Sequence, residues 1–560
     1  MTGSLFRGAS SPPQATAEFW RVAAIPRREY SATEQEQIRQ SMTATLRRPE
    51  GKGELWVTQA VSLFDLSFAG GLVGSIPVGL GKTLTSLLAP TVWQRVRPLL
   101  LVPAALVDKT KRAYRELSAH WRINPSIRIK SYEWLGRVGA KRFLDEWLPD
   151  IIVTDESHYL ANPSAGVTRR VVRYLRAHKD CIFVALSGTI TKRSIKDYAH
   201  LVELAYARNP INTPIPLSFH DLMSWADVLD EGGGGSNPGV LTHLCTDEER
   251  KTGIRGVRSA FRRRLTETLG FVQINGGDGE VDIPIVIETP ELDPPPPVQR
   301  ALNQMRSDWA TPDGTEFLSA IELWRHCREL ALGFYYRWTV PPPPPWAEAR
   351  KAWAKAARWI IESGRKHVDT VLDATHAIDK GLYPEYAETL EAWRNVRDSF
   401  EPATEAVWVS PHVIEWVESY LTTHHKATPH LIWVEHRAMG EALSRRTGLR
   451  FYAPDDHTGR SILDHPQRES AILSWHACRT GFDLPWASRN VIISPLTSGR
   501  GIEQLLGRTH RRGQKADVVN VIIPVWCEEH YKAIEQSRAD AAYIEATLGA
   551  SQKLLKADWA

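Results

Sequence analysis

The feature that most constrains this chain is the run Leu72-Val73-Gly74-Ser75-Ile76-Pro77-Val78-Gly79-Leu80-Gly81-Lys82-Thr83. Leu72, Val73 and Ile76 suit a short buried strand, while Leu84, Leu87 and Leu88 recur at the spacing of one helix face. Glycines at 79 and 81 let the intervening turn take positive φ and gather N–H groups with no Cβ in the way. A strand, a tight turn and a helix in that order belong to a parallel α/β sheet. The helix directs its positive end at the turn, so Gly79, Leu80 and Gly81 read as a phosphate cradle. Lys82 is then placed for the β- and γ-phosphates of a nucleoside triphosphate, and Thr83 for Mg²⁺. Taken alone, the same letters also fit an ordinary glycine-rich turn.

A second site signal lies in the same lobe. Ile151-Ile152-Val153-Thr154 has the apolar, β-branched character of a strand buried on both faces, and it runs into Asp155-Glu156-Ser157-His158. Asp155 is positioned to hold Mg²⁺ through its water shell, and Glu156 to polarise an attacking water. Two adjacent acids at a strand end are more often a solvated loop; the strand and helix patterns linking them to the glycine turn favour the catalytic reading. The next apolar run, Cys181 to Leu186, leads into Ser187-Gly188-Thr189, whose hydroxyls can bond both the acidic segment and a nucleic-acid backbone. Far downstream, Gln504-Leu505-Leu506-Gly507-Arg508-Thr509-His510-Arg511-Arg512-Gly513-Gln514 can supply arginines to the γ-phosphate.

The order of these motifs resembles the superfamily 2 helicases and, among them, the Swi/Snf-type DNA translocases. Gln59 resembles that family's adenine-reading glutamine. Leu100 to Leu106, with Pro103 and Ala104, resembles motif Ia, and Ser131-Tyr132-Glu133 the segment after it. Ser474 to Leu484 aligns without gaps to motif V, and Gly507 to Gln514 resembles the motif VI form ending in Gly-Gln. The resemblance spans about residues 55 to 525 and implies an α/β fold of two RecA-like parallel-sheet lobes in tandem, with a largely helical insertion between them. It implies ATP and Mg²⁺, the latter at Thr83 and Asp155, and a catalytic set of Lys82, Asp155, Glu156, Gln504, Arg508 and Arg511. It assigns nucleotide contacts to Gln59, Gly79, Leu80, Gly81, Lys82, Thr83, Gly481 and Asp483. Nucleic-acid contacts fall on Pro103, Ala104, Ser187, Gly188, Thr189 and Ser474.

The activity implied is ATP-driven movement on double-stranded DNA, with DNA-bound proteins or a targeting partner as further partners. A strand-separating helicase on DNA or RNA shares the same motifs, and an ATP-gated DNA-binding scaffold with slow hydrolysis also fits. A simple P-loop kinase conflicts with the paired arginines. The chain departs from the family at Ile76-Pro77, where acids are usual, at Ser157, at Cys478-Arg479 and in the short stretch from Tyr452 to Ser474. No group that hydrolysis needs is lost.

Along the chain, residues 1–50 read as a partly disordered arm, 51–210 as the first lobe, 211–410 as the insertion and 411–560 as the second lobe with a terminal helix. Pro294 to Pro297 and Pro341 to Pro345 read as extended connectors, and Glu231 to Gly239 as a flexible loop. Arg255, Arg258, Arg262, Arg263 and Arg264 read equally well as a solvated helix face or a phosphate-binding one. A formal net charge of +4 permits nucleic-acid binding without arguing for it. The five cysteines show no C-x-x-C pair, so reduced thiols and no structural zinc are expected. No apolar run suits a membrane span or a secretion signal, and a cytoplasmic location is expected, with a nuclear one left open. Most of the 21 tryptophans read as packing, Trp346, Trp353 and Trp359 among them.

Overall fold

The computed structural model describes residues 12–77, 79–188, 190–191, 193–230, 237–273, 281–317, 319–363, 368–423, 428–453, 462–467, 469–478 and 482–560. Thr189, Gly481 and most of the Glu231 to Gly239 loop lie outside them. The chain forms two compact units, Met1–Glu280 with Ala539–Gln552, and Val281–Arg538 with Lys553–Ala560.

The first unit is built on strands β1 (Leu72–Ser75), β2 (Pro98–Val102), β3 (Arg128–Ser131), β4 (Ile151–Asp155), β5 (Ile182–Ser187) and β6 (Phe271–Gln273). They form one sheet in the order β3-β2-β4-β5-β1-β6, and every pairing is parallel. Neighbouring residues alternate between two cores. Val73, Leu99, Leu101, Ile152, Phe183 and Phe271 pack on one face. Leu72, Leu100, Val153, Val184, Leu186 and Val272 pack on the other. Both faces are therefore covered by helices, as the unbroken apolar runs require.

The second unit contains β7 (Ile285–Glu288), β8 (Phe334–Trp338), β9 (Thr404–Trp408), β10 (His430–Val434), β11 (Arg450–Tyr452), β12 (Ala471–Ser474), β13 (Arg489–Ile492), β14 (Val519–Ile522) and β15 (Asp558–Trp559). Seven form a second parallel sheet, β11-β12-β10-β13-β14-β7-β15, while β8 and β9 pair antiparallel on their own. The two sheets correspond to the two RecA-like lobes expected in tandem. Among the described residues, no helix is long and apolar enough to cross a membrane.

The interval read as an insertion is largely helical, and it divides between the units. Phe219–Leu229 and Ile254–Thr266 belong to the first, together with β6; the helices from Pro296–Asp308 onward belong to the second. Within the N-terminal stretch, Ala17–Ala23 and Ala32–Leu46 are helices, the latter opened by a Ser31/Glu34 capping box.

The proline runs are not connectors throughout. Pro296 and Pro344 each begin a helix, where the missing N–H is one of the donors a helix leaves unpaired anyway. The arginine run is neither solvated nor phosphate-facing in the main. Arg258 donates to the carbonyls of Leu229 and Asp230, Arg262 to that of Glu545, and Arg264 to those of Ile25 and Pro26. Arg263 pairs with Glu249 at 3.0 Å, and Arg255 is the exposed member. The cluster ties sequence-distant segments of the first unit together. Trp346 and Trp353 are buried, whereas Trp359 is half-exposed beside Tyr386.

Candidate nucleotide site

β1, β4 and β5 deliver their C-terminal ends to one edge of the first sheet, where the register sets Ser75 beside Ser187 and Asp155 beside Leu186. Ligand sites of open parallel sheets form at this edge. β5 lies between the strand carrying the glycine turn and the strand carrying the acids. The Ile76 N–H closes the junction by donating to Ser187 O at 2.9 Å.

The turn has the geometry its glycines permit. Gly79 and Gly81 have φ of 94° and 76°, and Gly81 caps the helix Lys82–Val92. A Cβ at Gly81 would lie 2.1 Å from Gln59 Nε2, so a larger residue would displace the Gln59 amide as well as strain the backbone. Gln59 is buried here. Its Nε2 donates to Gly81 O at 3.1 Å, and its Oε1 accepts from Trp56 N at 2.9 Å. The side chain expected to read a base thus also ties the preceding helix to the turn. Leu80 packs against the core, and Thr83 is partly exposed at the helix start.

Lys82 Nζ donates to Ile76 O at 2.9 Å and stands 3.4 Å from Glu156 Oε1. Glu156 in turn lies 3.3 Å from His158 Nδ1, which is 3.0 Å from Ser187 Oγ. A continuous polar chain therefore runs from the turn, through the acidic strand end, to β5. Glu156 has φ of 61°, a left-handed conformation that costs a side chain with a Cβ energy and is concentrated at functional sites. His158 carries no role in the sequence reading; its place three residues after Asp155, one turn of the short helix Ser157–Leu160, is the signal that locates it.

Asp155 is buried, and its Oδ1 has no hydrogen-bond partner. Burial first, and the neighbouring Glu156 second, push its carboxyl above the usual range, with Lys82 opposing. Tyr132 donates to the Asp155 carbonyl at 2.8 Å and stacks on Tyr159. An enclosed carboxylate oxygen lacking a donor suits a hard divalent cation, whose charge would reverse the upward shift. The unpartnered Asp155 oxygen thus fits a divalent cation such as Mg²⁺.

Of the nucleic-acid candidates in this unit, Ser187 and Gly188 are buried at the sheet edge. Pro103 is buried, while Ala104 is exposed with its N–H on Glu133 Oε2 at 3.0 Å.

In the second unit, Gln504 and Arg508 lie on the helix Gly499–Thr509, and both are buried. Arg508 Nε donates to Gln504 O and Nη1 to Phe482 O at 2.9 Å, while the Leu484 N–H returns to Arg508 O. Arg508 therefore braces the residues on either side of Asp483. Arg511 forms an ion pair with Asp483, joining a proposed catalytic residue to a proposed nucleotide contact. Gln514 closes the turn by donating to the carbonyls of Ala487 and Thr509. Ser474 ends β12 and is buried.

No protein-family model and no curated protein matches this chain. Among solved structures, the crystal structure of the Pyrococcus furiosus Hef helicase domain is similar to it with a TM-score of 0.40 and 13% identity, over 86% of this chain and 97% of that one.

Proposed function

We propose that this chain is a nucleic-acid-dependent ATPase that acts as a motor on double-stranded DNA, in the manner of the Swi/Snf-type translocases. The observation that carries the reading is the convergence of Lys82, Asp155 and Glu156 beside a turn with two positive-φ glycines. In this account Lys82 and the turn N–H groups hold the β- and γ-phosphates of ATP, while Thr83 and Asp155 hold Mg²⁺. The ion, when bound, offsets phosphate charge.

Glu156 accepts a proton from the attacking water as the water oxygen bonds to the γ-phosphorus and the bond to the bridging oxygen breaks. Adenosine diphosphate and phosphate leave. His158 steadies Glu156 against Ser187, which connects the acid to the strand proposed to grip nucleic acid. Arg508 and Arg511 are proposed to offset charge on the transferring group, an effect of roughly 10³ to 10⁵ in rate for arginines in such roles.

The ion pair between Arg511 and Asp483 favours a second reading, in which nucleotide switches grip on DNA with slow turnover. Phosphate release measured with no polymer, duplex DNA, single-stranded DNA and RNA separates the readings. Stimulation by duplex DNA is the expected outcome. A preference for single strands, joined to strand displacement, would replace the translocase with an unwinding helicase, and nucleotide-dependent affinity without stimulated turnover would leave the switch.

A further inference from the structure

We propose that the first unit carries a second anion site, a phosphate-binding pocket at the far end of the helix Lys82–Val92 from the glycine turn. A cavity of about 550 Å³ opens there. Its walls come from three separate stretches of chain: Arg48 after the helix Ala32–Leu46, Thr91, Gln94 and Arg95 at the helix end, and Arg122 with Asn124 before β3. Three of its lining residues are arginines, and none is acidic.

The arginines are held in place but not neutralised. Arg48 Nε donates to Trp121 O at 3.3 Å, and Arg122 Nε donates to Arg47 O at 3.1 Å. Neither has a carboxylate partner among the described residues, and nor does Arg95, whose Nε is enclosed without an acceptor. Arg95 lies 5.5 Å from the ring of Trp93, itself anchored by an indole N–H bond to Leu66 O. Asp150, at the adjacent turn, is committed to the backbone N–H groups of Val96 and Arg97.

The frame is firm. The Arg48 N–H donates to His120 O and the Arg122 N–H to Leu46 O, while Thr91 Oγ1 donates to Arg122 O at 2.7 Å. Asn124 donates to Arg95 O, and Gln94 makes the helix-ending turn at φ 49°. Three like charges gathered in one concavity repel one another, and an anion offsets that repulsion. Guanidinium forks match tetrahedral oxyanions with several acceptor oxygens, so phosphate is the group this pocket suits. The shared chemistry is a phosphate, from either a free polyphosphate or a nucleic-acid backbone.

The test uses the full chain with Lys82→Ala, so that the glycine turn contributes least, and follows radiolabelled pyrophosphate by equilibrium dialysis. Adding Arg95→Gln is expected to weaken binding about tenfold or more, the loss of one charge-assisted contact, with Arg95→Lys intermediate and the unfolding temperature unchanged. Displacement of pyrophosphate by a short DNA duplex identifies the backbone as the source; retention identifies a free anion. Equal binding with and without Arg95→Gln, for both pyrophosphate and duplex, would overturn the proposal.

Discussion

Glu156 is the residue on which the hydrolytic reading turns, because it contacts both Lys82 and His158. Glu156→Gln keeps the size and removes the base. It is expected to bind ATP with little change and to lower turnover by roughly 10² to 10⁴, the usual worth of a positioned general base. Nucleotide-binding titrations alongside phosphate release check this, and near-normal turnover would remove Glu156 from the role. Gly81→Ala probes the turn instead. The new Cβ would meet the Gln59 amide while holding φ of 76°, so the Gln59 side chain is displaced and the turn is strained. ATP affinity is expected to fall about tenfold or more, at a cost of at least 1–2 kcal/mol for the left-handed conformation alone; unchanged affinity would show that the turn does not hold the nucleotide.

At the scale of elements, legibility in the sequence followed burial. β2, β4, β5, β10 and β13 were readable as apolar runs because each is covered on both faces. The three-residue β6 and the short β7 were not, because their places beside β1 and β14 depend on partners distant in sequence. The same limit applies to Arg258, Arg262 and Arg264, whose carbonyl acceptors lie in segments distant in sequence that no local pattern encodes. The glycine turn and the acid pair were legible because backbone chemistry requires those residue types at that spacing. That Ser187 bonds the acidic segment was also readable; that His158 is the residue it meets was not, since this arises from the pairing of strands.

A further element-scale consequence concerns His530, on the helix Glu528–Leu548. Its Nε2 donates to Arg328 O at 3.1 Å and its Nδ1 accepts from Trp526 N, an arrangement only the neutral ring can make. Burial is the main cause that lowers its pKa from 6.5 to about 3. The unfolded chain therefore takes up the proton first as pH falls, so stability is full above about pH 6.5 and is lost progressively toward pH 3. Between pH 6.5 and 5 the loss is about 2 kcal/mol. His530→Gln is expected to flatten this part of a denaturation-versus-pH curve, and an unchanged slope would contradict the assignment.

For the whole molecule, the groups proposed for hydrolysis are divided by the chain between two units, with Lys82, Asp155 and Glu156 in one and Gln504, Arg508 and Arg511 in the other. Neither unit alone holds a complete set, and the motor reading requires both. The most direct test of the central claim is steady-state ATP hydrolysis by the full chain, with and without saturating duplex DNA, against Lys82→Ala under the same conditions. Hydrolysis strongly raised by duplex DNA and abolished by Lys82→Ala is the predicted result; hydrolysis indifferent to duplex DNA, or persisting in Lys82→Ala, would contradict it.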